Sequence, residues 1–366
     1  MHPETWRELQ QMAEDLAGEL MAAEQELLER PDLHAVLGLP RGVQKVLQET
    51  RRYEATPSAA RVLRFDFHYT TEGWRISEVN SDVPGGYSEA SCFTELMAAH
   101  FPGARPAGNP ARRWADAMMS VVEHGNVALL SAPGLLEDQQ VTAFLAGQLQ
   151  ARGVNTFFLH NPAQLHWTSG RANVASKGRR IRVDAIVRFY QGEWLAKLAG
   201  GHGWKHLFAE GKTPVMNPGS ALLTESKRFP LAWDRMSSQT TTWRTLLPEC
   251  CDPVNARWRG GDEWVLKATF SNTGDEVHLR ESMNREAWTK LCRVVERRPE
   301  HWIVQRRFEA TPVDSDAGPV YPCIGVYTID GRASGVYSRA SIGEVTDYAA
   351  MDVALLIEEK RNAEQG

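Results

Sequence analysis

"RFDFHYTTEGWRISEVNSDVPGGY" (residues 64–87) reads as two strands around a tight turn, yet one face carries unusual charge. Arg64, Asp66, Glu78 and Asn80 fall at same-parity positions. A three-residue loop, Thr71-Glu72-Gly73, suits a hairpin whose third loop residue is left-handed, the conformation glycine tolerates best. Thr70 then pairs with Trp74, Asp66 lies opposite Glu78, and Arg64 lies opposite Asn80. All four side chains project from one face. A two- or four-residue loop would set Asp66 opposite Ser77 or Val79 instead.

Two carboxylates directly opposite on a sheet repel. Left alone, one of them takes up a proton. A bound divalent cation removes the conflict. Asp, Glu and Asn offer only oxygen ligands, which suits Mg²⁺ rather than Zn²⁺. Mg²⁺ held by one or two carboxylates usually also holds substrate phosphates. The hairpin therefore points to a metal site for nucleotide phosphates. A solvent-facing hairpin with arginine–acid ion pairs is the competing reading.

The flanking sequence predicts α+β architecture around a small α/β unit. Residues 4–30 place Trp6, Leu9, Met12, Leu16, Leu20, Leu27 and Leu28 at helical spacing among glutamates. A shorter helical patch follows through "GVQKVLQETRRY", and residues 111–124 are again helical. Strand 126–133, helix 137–153 and strand 154–161 form a βαβ unit, so a parallel sheet lies there. Its first turn lacks GxGxxG and is no dinucleotide site. "RIRVDAIVRFY" (180–190) continues the strands, and 231–247 reads as helix. The last third is mostly strands: 263–270, 301–308 and 321–341, the last turning at Asp330-Gly331. A helix over 347–362 is expected to close the chain.

Bulk composition narrows the class. The 366 residues are 42% hydrophobic and 24% charged, ordinary values for a globular protein of two or three lobes. A net charge of −5 gives no basic footprint for nucleic acid. The five cysteines show no metal spacing and read as reduced thiols. The charged N-terminus and the lack of a long apolar run predict a cytoplasmic protein without membrane partners.

Taken together, "RFDF…ISEVNSDVP" resembles the R-x-D…E-x-N-x-D-x-P signature of the glutathionylspermidine synthase family, the circularly permuted ATP-grasp ligases. "DAIVRFYQGEWL", "MNPGSALLTESKRFPLAW", "WVLKATF", "IVQRRF" and "CIGVYTIDGRASGVYSRAS" resemble further family segments in the family's order, over roughly residues 1–355. The metal hairpin precedes Lys227 and Lys267, which matches the permuted arrangement. The resemblance implies four stretches. They are an N-terminal helical segment (1–60), the metal hairpin with the first part of the grasp (61–120), a preATP-grasp-like βαβ domain (121–220), and nucleotide-binding lobes with a closing helix (221–366). It covers the synthetase part alone, with no amidase domain expected.

The resemblance implies ATP and Mg²⁺ (two ions) as cofactors, and a small-molecule or peptide carboxylate and an amine as substrates. Asp66, Glu78 and Asn80 match the metal positions. Arg64 and Arg339 match arginines that hold the reacting carboxylate or phosphoryl group. Lys227, Lys267, Gln305 and Glu309 match nucleotide positions; Lys267, in an otherwise apolar strand, itself calls for an anion. Ser271, Asn272 and Gly274 lie in a glycine-containing loop that suits phosphate cover, although the family's glycine–arginine–glutamate run is missing there. Tyr87, Ser88 and Glu89, after the flexible Pro84-Gly85-Gly86, are candidate substrate contacts. The expected activity is amide formation through an acylphosphate. The alternative is a nucleotide-binding protein on the same scaffold that no longer ligates.

Overall fold

The computed structural model describes residues 1–49, 55–198, 203–271, 276–316 and 318–359. Helix α1 (Pro3–Glu29) buries Trp6, Leu9, Leu16, Leu20 and Leu27, the stripe its periodicity predicts. The hairpin follows as β1 (Val62–Thr70) and β2 (Gly73–Asn80). Next come β3 (Asn126–Ser131), α2 (Leu136–Gln150), β4 (Asn155–Leu159), β5 (Ala185–Phe189) and β6 (Val215–Met216). The last third supplies β7 (Cys250–Cys251), β8 (Trp264–Ala268), β9 (Val277–Leu279) and β10 (Trp302–Arg306). It ends in the long pair β11 (Gly318–Ile329) and β12 (Arg332–Ser341), with β13 (Met351–Val353) at the edge.

Among the described residues there are five sheets, and three of them carry these strands. The first runs β13-β12-β11-β1-β2, all antiparallel. The second, β6-β5-β3-β4, is parallel, as the βαβ pattern predicts. The third, β7-β10-β8-β9, is antiparallel and packs its own tryptophan-rich core of Trp258, Trp264, Trp288 and Trp302. This is a mixed α/β architecture compatible with an ATP-grasp-like fold.

The hairpin corrects its expected turn while keeping its expected face. Tyr69 pairs with Trp74 and Thr70 with Gly73, so the loop has two residues, Thr71 and Glu72. That register alone would put Asp66 opposite Ser77. A β-bulge between Asp66 and Phe67 inserts Ser77, and beyond it Asp66 lies opposite Glu78 and Arg64 opposite Asn80. Gly73 takes a left-handed φ of 91°, and the Asp330-Gly331 turn has φ of 49° and 77°.

Three other expectations differ. The closing helix is instead strand: β13 pairs with β12, and Leu356–Glu358 pairs with Ala104–Pro106. Open edges there outweigh helical propensity; residues 360–362 lie outside the described residues. The helix over 231–247 is a 3₁₀ turn (Phe229–Arg235) and a short helix (Thr241–Leu246). Between them, Glu26 of α1 accepts from the Ser237 and Ser238 amides at 2.8 and 2.7 Å, and Glu19 accepts from the Thr242 amide at 2.9 Å. Finally, 180–190 splits at Asp184 into Arg179–Arg182 and β5, which belong to different sheets.

A buried polar hub joins these layers just after β2. Asp82 pairs with Arg188 of β5, which is wholly buried, and also accepts from the Gly192 amide at 2.7 Å. Asn217 Nδ2 donates to the carbonyls of Val62, Ser81 and Asp82 at 2.8–3.1 Å. Arg61 binds the Ser81 carbonyl and Glu24 of α1, both at 2.6 Å. Breaking one partner strands the other charge in the interior. Arg188→Met should therefore cost about 3–5 kcal/mol of unfolding free energy, read from urea midpoints. A loss within experimental error would show that the pair does not hold the sheets together.

Candidate active site

The cleft lies between the first and third sheets. Asp66, His68, Ser77, Glu78, Lys267, Gln305, Phe308, Cys323 and Arg339 are among its lining residues, and it encloses about 760 Å³ including its open mouth.

Asp66 is its most heavily contacted group. Arg64 grips both carboxylate oxygens, at 2.8 and 3.0 Å. Arg339 reaches Oδ2 at 3.3 Å and Asn80 Nδ2 reaches it at 3.4 Å. Burial alone would raise the Asp66 pKa, but Arg64 and then Arg339 outweigh it and hold it below the ordinary carboxylate range. Both guanidinium groups also lie over the Tyr337 ring, at 5.1 and 5.5 Å. The stem of Arg64 passes over Gly325, the residue opposite Asp66 on β11. A Cβ there would come within 2.8 Å of Arg64 Cδ.

The second carboxylate has its own cation. Lys227 Nζ lies 3.2 Å from Glu78 Oε2 and donates to the Ser271 carbonyl at 2.9 Å. Burial raises Glu78, and Lys227 brings it below its usual pKa. Lys267 donates to the Ser77 carbonyl at 3.0 Å, so the bulge aims that carbonyl at a lysine of β8. Burial lowers the Lys267 pKa. Among the described residues no three His, Cys, Asp or Glu side chains group as metal ligands.

Arg64, Asp66, Glu78, Asn80, Lys227, Lys267 and Arg339 thus come together, with Gln305 lining the cleft beside Lys267. Ser271 contributes its carbonyl, while Asn272 and Gly274 lie outside the described residues. Glu309 is exposed and points away, whereas its neighbours Phe308 and Ala310 line the cleft. Tyr87 is corrected outright. It is fully buried against Trp114, Phe189 and Tyr327, a core residue. Ser88 donates to Glu89, and neither lines the cleft.

Several site residues escaped the sequence reading. His68 shares the parity of Arg64 and Asp66, a signal that was there to use. Burial pushes it down to about 4, so it is neutral. Arg307 lies at the rim of the mouth, pairing with Glu281 beyond β9 and, at 2.7 Å, with Glu344 beyond β12. A second cluster lies where the parallel sheet switches direction. From β3 the chain runs to β4 on one side, while β5 lies on the other, and ligands favour the crevice at such carboxyl ends. Asp138 and Gln191 meet there at 3.4 Å, and Gln191 Oε1 is buried without a partner. Burial pushes Asp138 up to about 6, and burial with Asp82 nearby pushes Glu193 up to about 7.

These features define an α/β protein with a cation-rich cleft between antiparallel sheets, beside a parallel-sheet crevice. The chain belongs to the glutathionylspermidine synthase preATP-grasp family, whose model matches residues 2–358. The structure is similar to a glutathione synthetase-like effector from Globodera pallida in its apo form. The TM-score is 0.65 at 12% identity, covering 96% of this chain and 88% of that one. It also resembles a putative gamma-glutamylcysteine synthetase from Methylobacillus flagellatus KT, with TM-score 0.48 and 12% identity over 93% and 88% of the two chains. No match was found among curated proteins. Among the described residues no helix is long and apolar enough to cross a membrane.

Two outcomes follow from this geometry. Gly325→Ala would also press its Cβ to 2.9 Å from the Tyr337 carbonyl; it should displace Arg64 and, because a shift of about 1 Å can cost on the order of 100-fold, cut turnover by that order, together with a lowered unfolding midpoint. Unchanged turnover would free Arg64 of a need for that path. For Glu193, a raised carboxyl pKa means that the folded state keeps a proton the unfolded state has released. Its stabilising share is full below the ordinary carboxylate range and is lost as pH rises through about 7. Glu193→Gln should therefore lose less stability than wild type between about pH 5 and about pH 8, and equal losses in urea titrations would refute this.

Proposed function

We propose that the protein is an ATP- and Mg²⁺-dependent carboxylate–amine ligase that forms an amide bond through an acylphosphate, releasing ADP and phosphate. The observation that carries this is the convergence of Asp66, Glu78, Lys267 and Arg339 on one cleft, with Arg64 and Lys227 behind them pairing with the two carboxylates. Family membership supports the ligase class. The order of the hairpin before both lysines supports the permuted form of the ATP-grasp.

The two carboxylates and the Asn80 amide form an all-oxygen donor set on one face, which fits Mg²⁺. When bound, the metal would neutralise phosphate charge. Arg64 and Arg339 are placed to hold the reacting anions. Lys227 and Lys267 would leave the carbonyls of Ser271 and Ser77 for nucleotide phosphates. The phosphoryl group moves to the substrate carboxylate. The amine then attacks the acyl carbon, a C–N bond forms, the C–O bond to phosphate breaks, and phosphate leaves with the proton that the nitrogen gives up. Such chemistry depends on charge placement more than on proton transfer. The crevice of Asp138, Gln191 and Glu193 is the natural place for the second substrate, because an unpartnered acceptor beside carboxyls suits an N–H donor.

The test is ADP release across a panel of amino acids, small peptides and polyamines. Turnover should require Mg²⁺ and one acid–amine pair. Asp66→Asn and Glu78→Gln should each lower it by several orders of magnitude, as the loss of phosphoryl-transfer charge stabilisation implies, with the fold intact. Wild-type turnover in both variants would end the metal assignment. Nucleotide binding without ADP release across the whole panel would favour a non-catalytic binding protein.

A further inference from the structure

The face that carries Asp66 runs on across the first sheet. Asp66 of β1 lies opposite Gly325 of β11, and Gly325 lies opposite Tyr337 of β12. Opposite residues share a face, so the three form one row with no side chain at its centre. Arg64 stands two residues before Asp66 and Arg339 two residues after Tyr337, one on each side of that row. Their guanidinium groups converge on its two ends. Arg64 binds the Asp66 carboxylate at 2.8 and 3.0 Å, and Arg339 binds it at 3.3 Å. The same two groups lie 5.1 and 5.5 Å from the centre of the Tyr337 ring.

Two guanidinium groups gathered this way repel each other, and Asp66 carries only one negative charge. The negative face of the ring is the second counterpole. Arg64 has a further anchor in the Gly85 carbonyl, at 2.9 Å. The Arg339 side chain, among the described residues, hydrogen-bonds to Asp66 alone. Once Asp66 turns its oxygens to a cation, the ring is the partner that Arg339 keeps. The ring is itself fixed at two points. Gly86 packs against it, where a Cβ would fall 2.7 Å from the ring. Its hydroxyl donates at 2.7 Å to Asp352, an exposed residue of β13 that lies opposite Arg339. Donation to a carboxylate enriches the ring in electron density and deepens its attraction for cations.

We infer that Tyr337 is the residue that positions Arg64 and Arg339 as a pair for the terminal phosphoryl group of the nucleotide, with Asp352 of β13 as its tether. This rests on the ligase reading proposed above, in which both arginines hold the reacting anions. Tyr337 acts through the two arginines and is a positioning residue. Gathering two cations before the anion arrives removes that cost from the binding step. The closing strand thereby supports the site from the far edge of the sheet.

The experiment is calorimetric titration of the full chain with Mg-ATP and with Mg-ADP, which differ by the terminal phosphoryl group. Wild type should bind Mg-ATP tighter by about tenfold to hundredfold, the worth of a hydrogen bond to a charged group. Tyr337→Leu removes the ring and should weaken Mg-ATP by about tenfold while changing Mg-ADP by less than about twofold. Tyr337→Phe and Asp352→Ala cut the same tether. Each should give a smaller loss confined to Mg-ATP, and the double variant should lose no more than either alone. These two substitutions leave the ring in place, and unfolding midpoints close to wild type establish that they are folded. If Tyr337→Leu weakens both nucleotides alike, or neither, Tyr337 is a packing residue and the inference is overturned. Additive losses in the double variant would remove Asp352 from the role. If wild type binds both nucleotides equally, nucleotide binding stands but the arginines do not hold the terminal phosphoryl group, and the inference falls. If wild type binds neither, the ligase reading itself fails and takes this inference with it.

Discussion

Ser77 decides the chemistry available to this fold. It is the extra residue of the bulge, and without it Glu78 would turn away from Asp66. With it, two carboxylates share a face and each has a separate cation: Arg64 for Asp66 and Lys227 for Glu78. Their mutual repulsion is answered inside the protein before any ligand arrives. The Ser77 carbonyl and hydroxyl then reach Lys267 and His68, so one irregular residue touches both walls of the cleft.

What holds the hairpin in place lies at its exit. Ser81 and Asp82 are gathered by Arg61, Arg188, Asn217 and Glu225, which come from separate stretches of the chain. Through Glu24 the same hub reaches α1. Such a network is costly when half satisfied and rigid when complete. It lets a strand-borne site keep its geometry although the sheets around it are built from distant segments.

Much of this was legible in the sequence, for identifiable reasons. Same-parity charge put Arg64, Asp66, Glu78 and Asn80 on one face, and the strand–helix–strand rhythm gave the parallel sheet. The hairpin register came out right at Asp66 because two errors cancelled: the loop is one residue shorter than its glycine suggests, and the bulge adds that residue back. No local pattern announces such a bulge. The closing segment failed differently, since Met351–Val353 is helical by composition but completes an edge that only the folded sheet provides. Tyr87 failed because glycines before it suggested an open approach, whereas Gly86 sits so close to the Tyr337 ring that the chain dives inward there.

Arg307 brings a different kind of consequence. Its two carboxylate partners sit on opposite walls of the cleft mouth, and all three side chains are partly exposed to solvent. Exposed ion pairs weaken as the Debye length shrinks, from roughly 10 Å in dilute salt to about 3 Å near molar salt. The pairs that Arg307 makes at this rim are thus tied to ionic strength: ions of the surrounding solution compete with Glu281 and Glu344 for its guanidinium.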